Sequence, residues 1–254
     1  MAQISAHAKL MGRYMVVTKG VQAMKKIINA PSLANCNGLQ MGEDIAQLVE
    51  GGVNFLHFDI MDGHYVPNIC LPLNYIRDIK NKYPDITMEV HMMVDNPAAY
   101  ISRLAETGAD YVSFHADATR FCRRTITEIR AAGMKAGVVV NPSQRIDILE
   151  PYAGLIDYVI LMTVEPGFAG QLFLPNSVER IRELNKLRQS SKANFLIEID
   201  GGVDYQNTED CILAGADILV TGVYITFRQK EGIVSACKRF DEYMSRVVSK
   251  MSSV

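Results

Sequence analysis

From Lys25 onward, short β-rich runs alternate with helical patterns eight times, and no other feature of the chain restricts its fold as tightly. The predicted strands are Ile27–Ala30, Val53–Asp59, Thr87–His91, Tyr111–His115, Lys135–Val140, Tyr158–Met162, Asn194–Asp200 and Ile218–Thr221. A helical segment follows each: Gly42–Glu50, Leu73–Lys82, Pro97–Thr107, Thr119–Ala132, Arg145–Tyr152, Asn176–Gln189, Gln206–Ala214 and Gly232–Ser249. Strand, helix and strand in this order imply parallel strands joined by right-handed crossovers. Eight such units close into a barrel, so the pattern predicts an α/β fold, a single (β/α)8 barrel of TIM type over 24–254. A doubly wound open sheet is the alternative, but it seldom uses eight uniform units. Gly108 and Gly133 stand where helix C-terminal caps belong, and Asn96-Pro97 opens a helix with Pro in its first turn. "ETGAD" (Glu106–Asp110) and "LAGAD" (Leu213–Asp217) read as one helix-to-strand turn used twice.

The rest of the composition agrees with one large packed domain. Apolar residues make up 48% of the 254 residues and charged residues 21%, which excludes general disorder. A net charge of −2 gives no overall attraction to nucleic acid or to an anionic membrane. No apolar run is long enough to span a bilayer. The five cysteines are odd in number and widely spaced, with no disulfide or CxxC pattern, so a reducing, cytoplasmic setting is expected. Residues 1–23 carry Lys9, Arg13 and Lys19 and no acid. They are read as a dispensable extension, with Met24 as an alternative first residue.

Side chains alternate faces along a strand. His57, Asp59 and Met61 therefore share a face, as do His91 and Met93 at the end of the next strand. Glu198-Ile199-Asp200 ends the seventh strand, just before Gly201-Gly202. All of these stand at carboxyl ends of predicted strands, the face on which barrel enzymes build their sites. One such histidine alone is most simply a packed core residue. Two His and two Asp, namely His57, Asp59, His91 and Asp200, make a four-ligand site for one divalent ion, Zn²⁺, Fe²⁺, Mn²⁺ or Co²⁺. Three glycine loops follow the last three strands: Gly167-Phe168-Ala169-Gly170, Gly201-Gly202 and Gly222-Val223. Each is an ordinary tight turn by itself. In sequence at these strands they predict a phosphate site made by close backbone approach. Met61, Met93 and Met162 are core filler or a soft wall beside the reacting centre.

These residues sit inside longer strings. "APSL" (Ala30–Leu33), "HFDIMDGHYVPN" (His57–Asn68), "VHMMV" (Val90–Val94), "MTVEPGFAGQLF" (Met162–Phe173) and "EIDGGV" (Glu198–Val203) resemble the ribulose-phosphate 3-epimerase family from about Ile27 to Phe227. The resemblance implies a ribulose-phosphate-binding barrel with His57, Asp59, His91 and Asp200 on the metal. It also implies Asp59 and Asp200 as catalytic acid and base. Substrate contacts are implied at Ser32, His91, Gly167, Phe168, Ala169, Gly170, Gly201, Gly202, Gly222 and Val223. The chain departs from the family pattern at Leu33-Ala34-Asn35-Cys36, at Ala169 and at Val223, where a serine is usual. Allulose-6-phosphate 3-epimerases share the Gly-Phe-Ala-Gly form and also vary after the first serine.

The implied reaction removes the hydrogen on C3, beside the C2 ketone, to give an enediolate. Inversion needs one proton group on each face of that planar species, and Asp59 and Asp200 come from separated strands. A divalent cation would supply Lewis-acid stabilisation of the charge. The expected activity is interconversion of D-ribulose 5-phosphate and D-xylulose 5-phosphate, with D-allulose 6-phosphate epimerisation as the alternative. Orotidine-phosphate decarboxylase relatives use an Asp-x-Lys-x-x-Asp core, whereas Ile60 and Met61 follow Asp59 here. A non-catalytic sugar-phosphate sensor would not need two opposed proton groups. The expected partners are a small ketose phosphate and further copies of the chain in a homo-oligomer, with neither nucleic acid nor membrane.

Overall fold

The computed structural model describes residues 25–251; the extension over 1–23 lies outside them. Eight parallel strands are present: β1 (Ile28–Pro31), β2 (Phe55–Asp62), β4 (Thr87–Met93), β5 (Tyr111–His115), β6 (Lys135–Val140), β7 (Tyr158–Met162), β8 (Leu196–Asp200) and β9 (Ile218–Thr221). The two-residue β3 (Ile69–Cys70) folds back antiparallel on Met61 and Asp62 of β2. The sheet runs β1-β9-β8-β7-β6-β5-β4-β2-β3. A parallel bridge between Ser32 and His57 joins β1 to β2 and closes the barrel. Among the described residues, seven α-helices stand between and after the strands: α1 (Met41–Glu50), α2 (Asn74–Lys82), α3 (Ile101–Thr107), α4 (Cys122–Ala131), α5 (Ser177–Ser190), α6 (Thr208–Ala214) and α7 (Ile233–Met251).

The predicted helix over Arg145–Tyr152 is instead a 3-10 helix, Ile146–Tyr152, with Pro151 inside it. Proline has no N–H for the helical ladder, and its ring clashes with the carbonyl four residues back. The predicted helix over Pro97–Thr107 begins as a 3-10 turn, Pro97–Tyr100, before α3. Strand β2 runs three residues beyond its predicted end at Asp59: Ile60 and Met61 pair with Met92 and Met93 of β4, and Met61 and Asp62 with β3.

Period-two alternation divides the strands into two faces. Outward residues such as Leu56, Phe58, Met88, Val90, Ile197 and Ile199 join the helices in one large core. Inward residues fill the lumen in layers. Phe55 and Ile218 pack at the amino end with Tyr111 and Leu196 against them. Above them lie His57, Glu89, Ser113 and Glu198, all fully buried. Burial on both faces is why the strands read as near-continuous apolar runs.

The amino face carries a repeated locking device. Asp110, Asp157 and Asp217 end helix-to-strand turns and accept the N–H of Met88, Ala136 and Ile197 on the neighbouring strands at 2.8, 3.0 and 2.9 Å. Lys80, Lys135 and Arg188 pair with the same carboxylates. "ETGAD" and "LAGAD" are thus one turn, as their likeness suggests, and Asp157 supplies a third copy without the sequence signature.

One glycine makes room for a core side chain. A Cβ on Gly137 of β6 would stand 2.4 Å from the Tyr158 ring. That ring is fully buried and its hydroxyl donates to Glu89 Oε1 at 2.9 Å, so it has nowhere to go. Overpacking a core costs about 1–3 kcal/mol, and we expect the upper end for Gly137→Ala. In a chain of this size that is a fall in Tm of roughly 6–12 °C. A calorimetric scan with an unchanged Tm would show that the ring can be displaced.

Candidate active site and metal centre

Four ligand-type atoms converge at the carboxyl end of the lumen. His57 and Asp59 come from β2, His91 from β4 and Asp200 from β8, and their atoms all lie within 4.8 Å of one another. His57 Nε2 is 3.2 Å from Asp59 Oδ1 and 3.7 Å from Asp200 Oδ2. His91 Nδ1 is 3.4 Å from Asp59 Oδ1 and 3.3 Å from Asp200 Oδ2, yet it has no hydrogen-bond partner. The other oxygen of Asp59, Oδ2, accepts the Ser32 hydroxyl at 2.6 Å. Asp59 therefore turns one oxygen to the imidazoles and the other to Ser32.

The electrostatics follow from burial and proximity. Burial works against the charge on Asp59, but the His57 ring, with His91, outweighs it and holds the carboxyl well below its usual range. Burial also works against a charged His57, and Glu89 and Asp59 overcome it, raising the ring well above its ordinary pKa. For His91, Asp200 and Asp59 overcome burial and raise it to about 9.

Beneath this centre lie residues to which the sequence reading gave no role. Glu89 and Glu198 flank His57 Nδ1 at 2.6 and 3.1 Å. Only the Glu198 contact has hydrogen-bond geometry, and Glu89 Oε2 finds no hydrogen-bond partner. Burial and the neighbouring Glu89 push Glu198 up to about 8. His115 Nε2 meets His91 Nε2 at 2.8 Å, and the Tyr65 ring packs on His115 at 4.6 Å between centroids. Burial and the nearby His91 hold His115 well below its ordinary pKa, so it is neutral. Parity along the strands carried the signal for both glutamates: Glu89 shares a face with His91, and Glu198 with Asp200.

Above the centre opens a cleft. Ser32, Asp59, Asp200 and the three methionines Met61, Met93 and Met162 line its inner part; Gly167, Phe168, Ala169, Gly170, Gly201, Gly202, Gly222 and Val223 line the rest. His57 and His91 lie beneath it, fully buried. The glycines after β8 serve loop packing. A Cβ on Gly201 (φ 118°) would meet Val164 at 2.4 Å, and one on Gly202 (φ 65°) the backbone of Phe173 at 2.3 Å. The loop after β7 thus lies directly on the loop after β8. It is tied on its other side by Tyr224, whose hydroxyl donates to the Gly170 carbonyl at 2.7 Å, and by Asn68, which donates to the Gly167 carbonyl. Among the described residues, no acceptor meets the backbone N–H groups of Gly202, Gly222 and Val223.

The family model for the ribulose-phosphate 3 epimerase family matches residues 28–226, which hold this whole constellation. The chain belongs to that family. The ribulose-phosphate 3-epimerase of Aquifex aeolicus is 40% identical over 193 residues, 76% of this chain and 86% of its own. That of Bacillus subtilis is 40% identical over 195 residues, covering 76% and 89%, and that of Escherichia coli K12 34% over 199 residues, covering 78% and 88%. This family member is thus an isomerase, an epimerase acting on carbohydrates. Solved structures extend the likeness to the fold alone. KGPDC from Streptococcus mutans superposes with TM-score 0.67 at 12% identity, covering 88% of this chain and 99% of that one. Phosphoribosyl anthranilate isomerase from Thermus thermophilus gives 0.62 at 11%, covering 87% and 100%. No helix among the described residues is long and apolar enough to cross a membrane.

Proposed function

We propose that this epimerase interconverts D-ribulose 5-phosphate and D-xylulose 5-phosphate with one divalent metal held by His57, Asp59, His91 and Asp200. The carrying observation is the convergence of Asp59 and Asp200, from strands that are not neighbours in the barrel, on the inner end of the cleft. The donor set fits Zn²⁺, Fe²⁺, Mn²⁺ or Co²⁺. The buried His91 Nδ1, without a partner but aimed at two carboxylates, supports an ion there. When bound, the ion would supply Lewis-acid stabilisation of negative charge on the substrate.

The chain's own groups do the proton work. Asp59, which lines the cleft and whose Oδ2 accepts the Ser32 hydroxyl, is the group placed to take the proton from C3. Asp200 lies across the lumen and serves the opposite face of the enediolate. Met61, Met93 and Met162 wall the centre with apolar surface that excludes water. The free N–H groups of Gly202, Gly222 and Val223 support phosphate binding at the far end of the cleft. Five free thiols support a reducing, cytoplasmic setting.

Two of the three loops at which this chain departs from the family pattern, those after β1 and β9, meet in the cleft: the Asn35 amide is 3.2 Å from where a Gly222 Cβ would be. We take them to set the span between metal and phosphate. One carbon more or less in a fitted site is worth only about 1–3 kcal/mol. D-Allulose 6-phosphate should therefore turn over measurably, with D-ribulose 5-phosphate preferred in a kcat/KM comparison. Val223→Ser should lower KM for both sugars and change their ratio less. An unchanged KM for both would remove Val223 from the phosphate site. Turnover of neither sugar would overturn the proposed activity.

A further inference from the structure

A histidine that gives its Nε2 lone pair to an ion must carry its proton on Nδ1, and the partner of Nδ1 decides this. For His57 that partner is Glu198, from the opposite side of the lumen, with Glu89 pressed close by. Glu89 is in turn fixed at Oε1 by the Tyr158 and Ser113 hydroxyls. Both glutamates are fully buried, and Glu89 Oε2 and Glu198 Oε2 have no hydrogen-bond partner. Buried carboxylates with unmet hydrogen-bonding capacity are destabilising, and apolar residues fill the same lumen at Val139 and Ile160 without that penalty. Packing alone does not account for them.

We infer that Glu198, backed by Glu89, is the positioning residue that fixes the tautomer and ring orientation of His57 and strengthens it as a metal ligand. The inference rests on the metal reading proposed above. Neither glutamate lines the cleft, so both act through His57 and touch no substrate.

The test is Co²⁺ binding, read by chelator competition and by the visible spectrum of the bound ion, on the full chain. Glu198→Gln keeps the shape and removes the charge. Its Kd for Co²⁺ should rise about 10–100-fold, the usual loss for such a partner, and the visible band should shift. The Tm of the metal-free variant should stay close to wild type, because glutamine keeps the size of the side chain and an oxygen for His57 Nδ1. Glu89→Gln leaves an oxygen for Tyr158 and Ser113 and should raise Kd by about tenfold; it carries the test if Glu198→Gln does not fold. Wild-type Kd and spectrum in the folded variants would overturn the positioning role, with or without a loss of Tm. A wild-type protein that binds no Co²⁺ would overturn the metal reading along with it.

Discussion

Asp59→Asn and Asp200→Asn should each lower kcat at least ~10²-fold, the lower range for losing a general acid or base. Asparagine keeps the size of the side chain and one oxygen, so Ser32 still has an acceptor at position 59, but the amide cannot carry the proton. The two aspartates descend from β2 and β8, with β1 and β9 between them, so they face one another across the lumen. Each can serve only the face of the sugar turned toward it. Loss of either blocks inversion in both directions, since abstraction on one face must be matched by delivery on the other. Proton exchange separates this from a general loss of function. In deuterated water, each variant should wash deuterium into C3 of one epimer only, and the two variants should choose opposite epimers. Metal content has to be matched, because both aspartates are also proposed metal ligands. A variant that held metal and kept kcat within tenfold of wild type would end the two-base assignment.

The features legible in the sequence were those written in short periods. Eight β-rich runs spaced by helical patterns announce the barrel, and alternation along β2 and β4 places His57, Asp59 and His91 on the inner face at the correct end. Other features are set by contacts between distant segments. Strand β3 exists because the turn through Pro67 and Asn68 returns the chain to Met61 and Asp62. The glycines of the β8 loop are plain in the sequence, but not that Val164 and Phe173 take the space at their missing side chains. The most instructive omission is Glu89 and Glu198. Alternation puts both on the lumen side, yet a glutamate two residues before a proposed ligand reads as an ordinary polar residue. Only the closed barrel brings β4 and β8 to either side of the His57 ring. His115 is similar, since its partner His91 stands on the adjacent strand in a register that pairs Met92 with Phe114.

Removal of the metal should have the largest effect of all. Lewis-acid stabilisation of a developing oxyanion is worth several kcal/mol, and at about 1.4 kcal/mol per tenfold this predicts a loss of roughly 10³-fold or more. The protein should be stripped with a chelator, its metal content measured, and activity restored by Zn²⁺, Mn²⁺, Co²⁺ or Fe²⁺ added singly. Remetallation carries its own signature. In the metal-free centre the carboxylates hold His91 up to about 9 and His57 well above its ordinary value, so both rings are protonated at neutral pH. Ion binding needs both lone pairs. Uptake of the ion at neutral pH must therefore expel protons from the site, and apparent affinity must weaken as pH falls from about 9. Calorimetric titration in two buffers of different ionisation enthalpy reads the protons released. Full activity in protein shown to contain no metal would refute the assignment of His57, Asp59, His91 and Asp200 as a catalytic metal centre. Ion binding with no proton release would leave the centre in place, but show that the two rings are already neutral before the ion arrives.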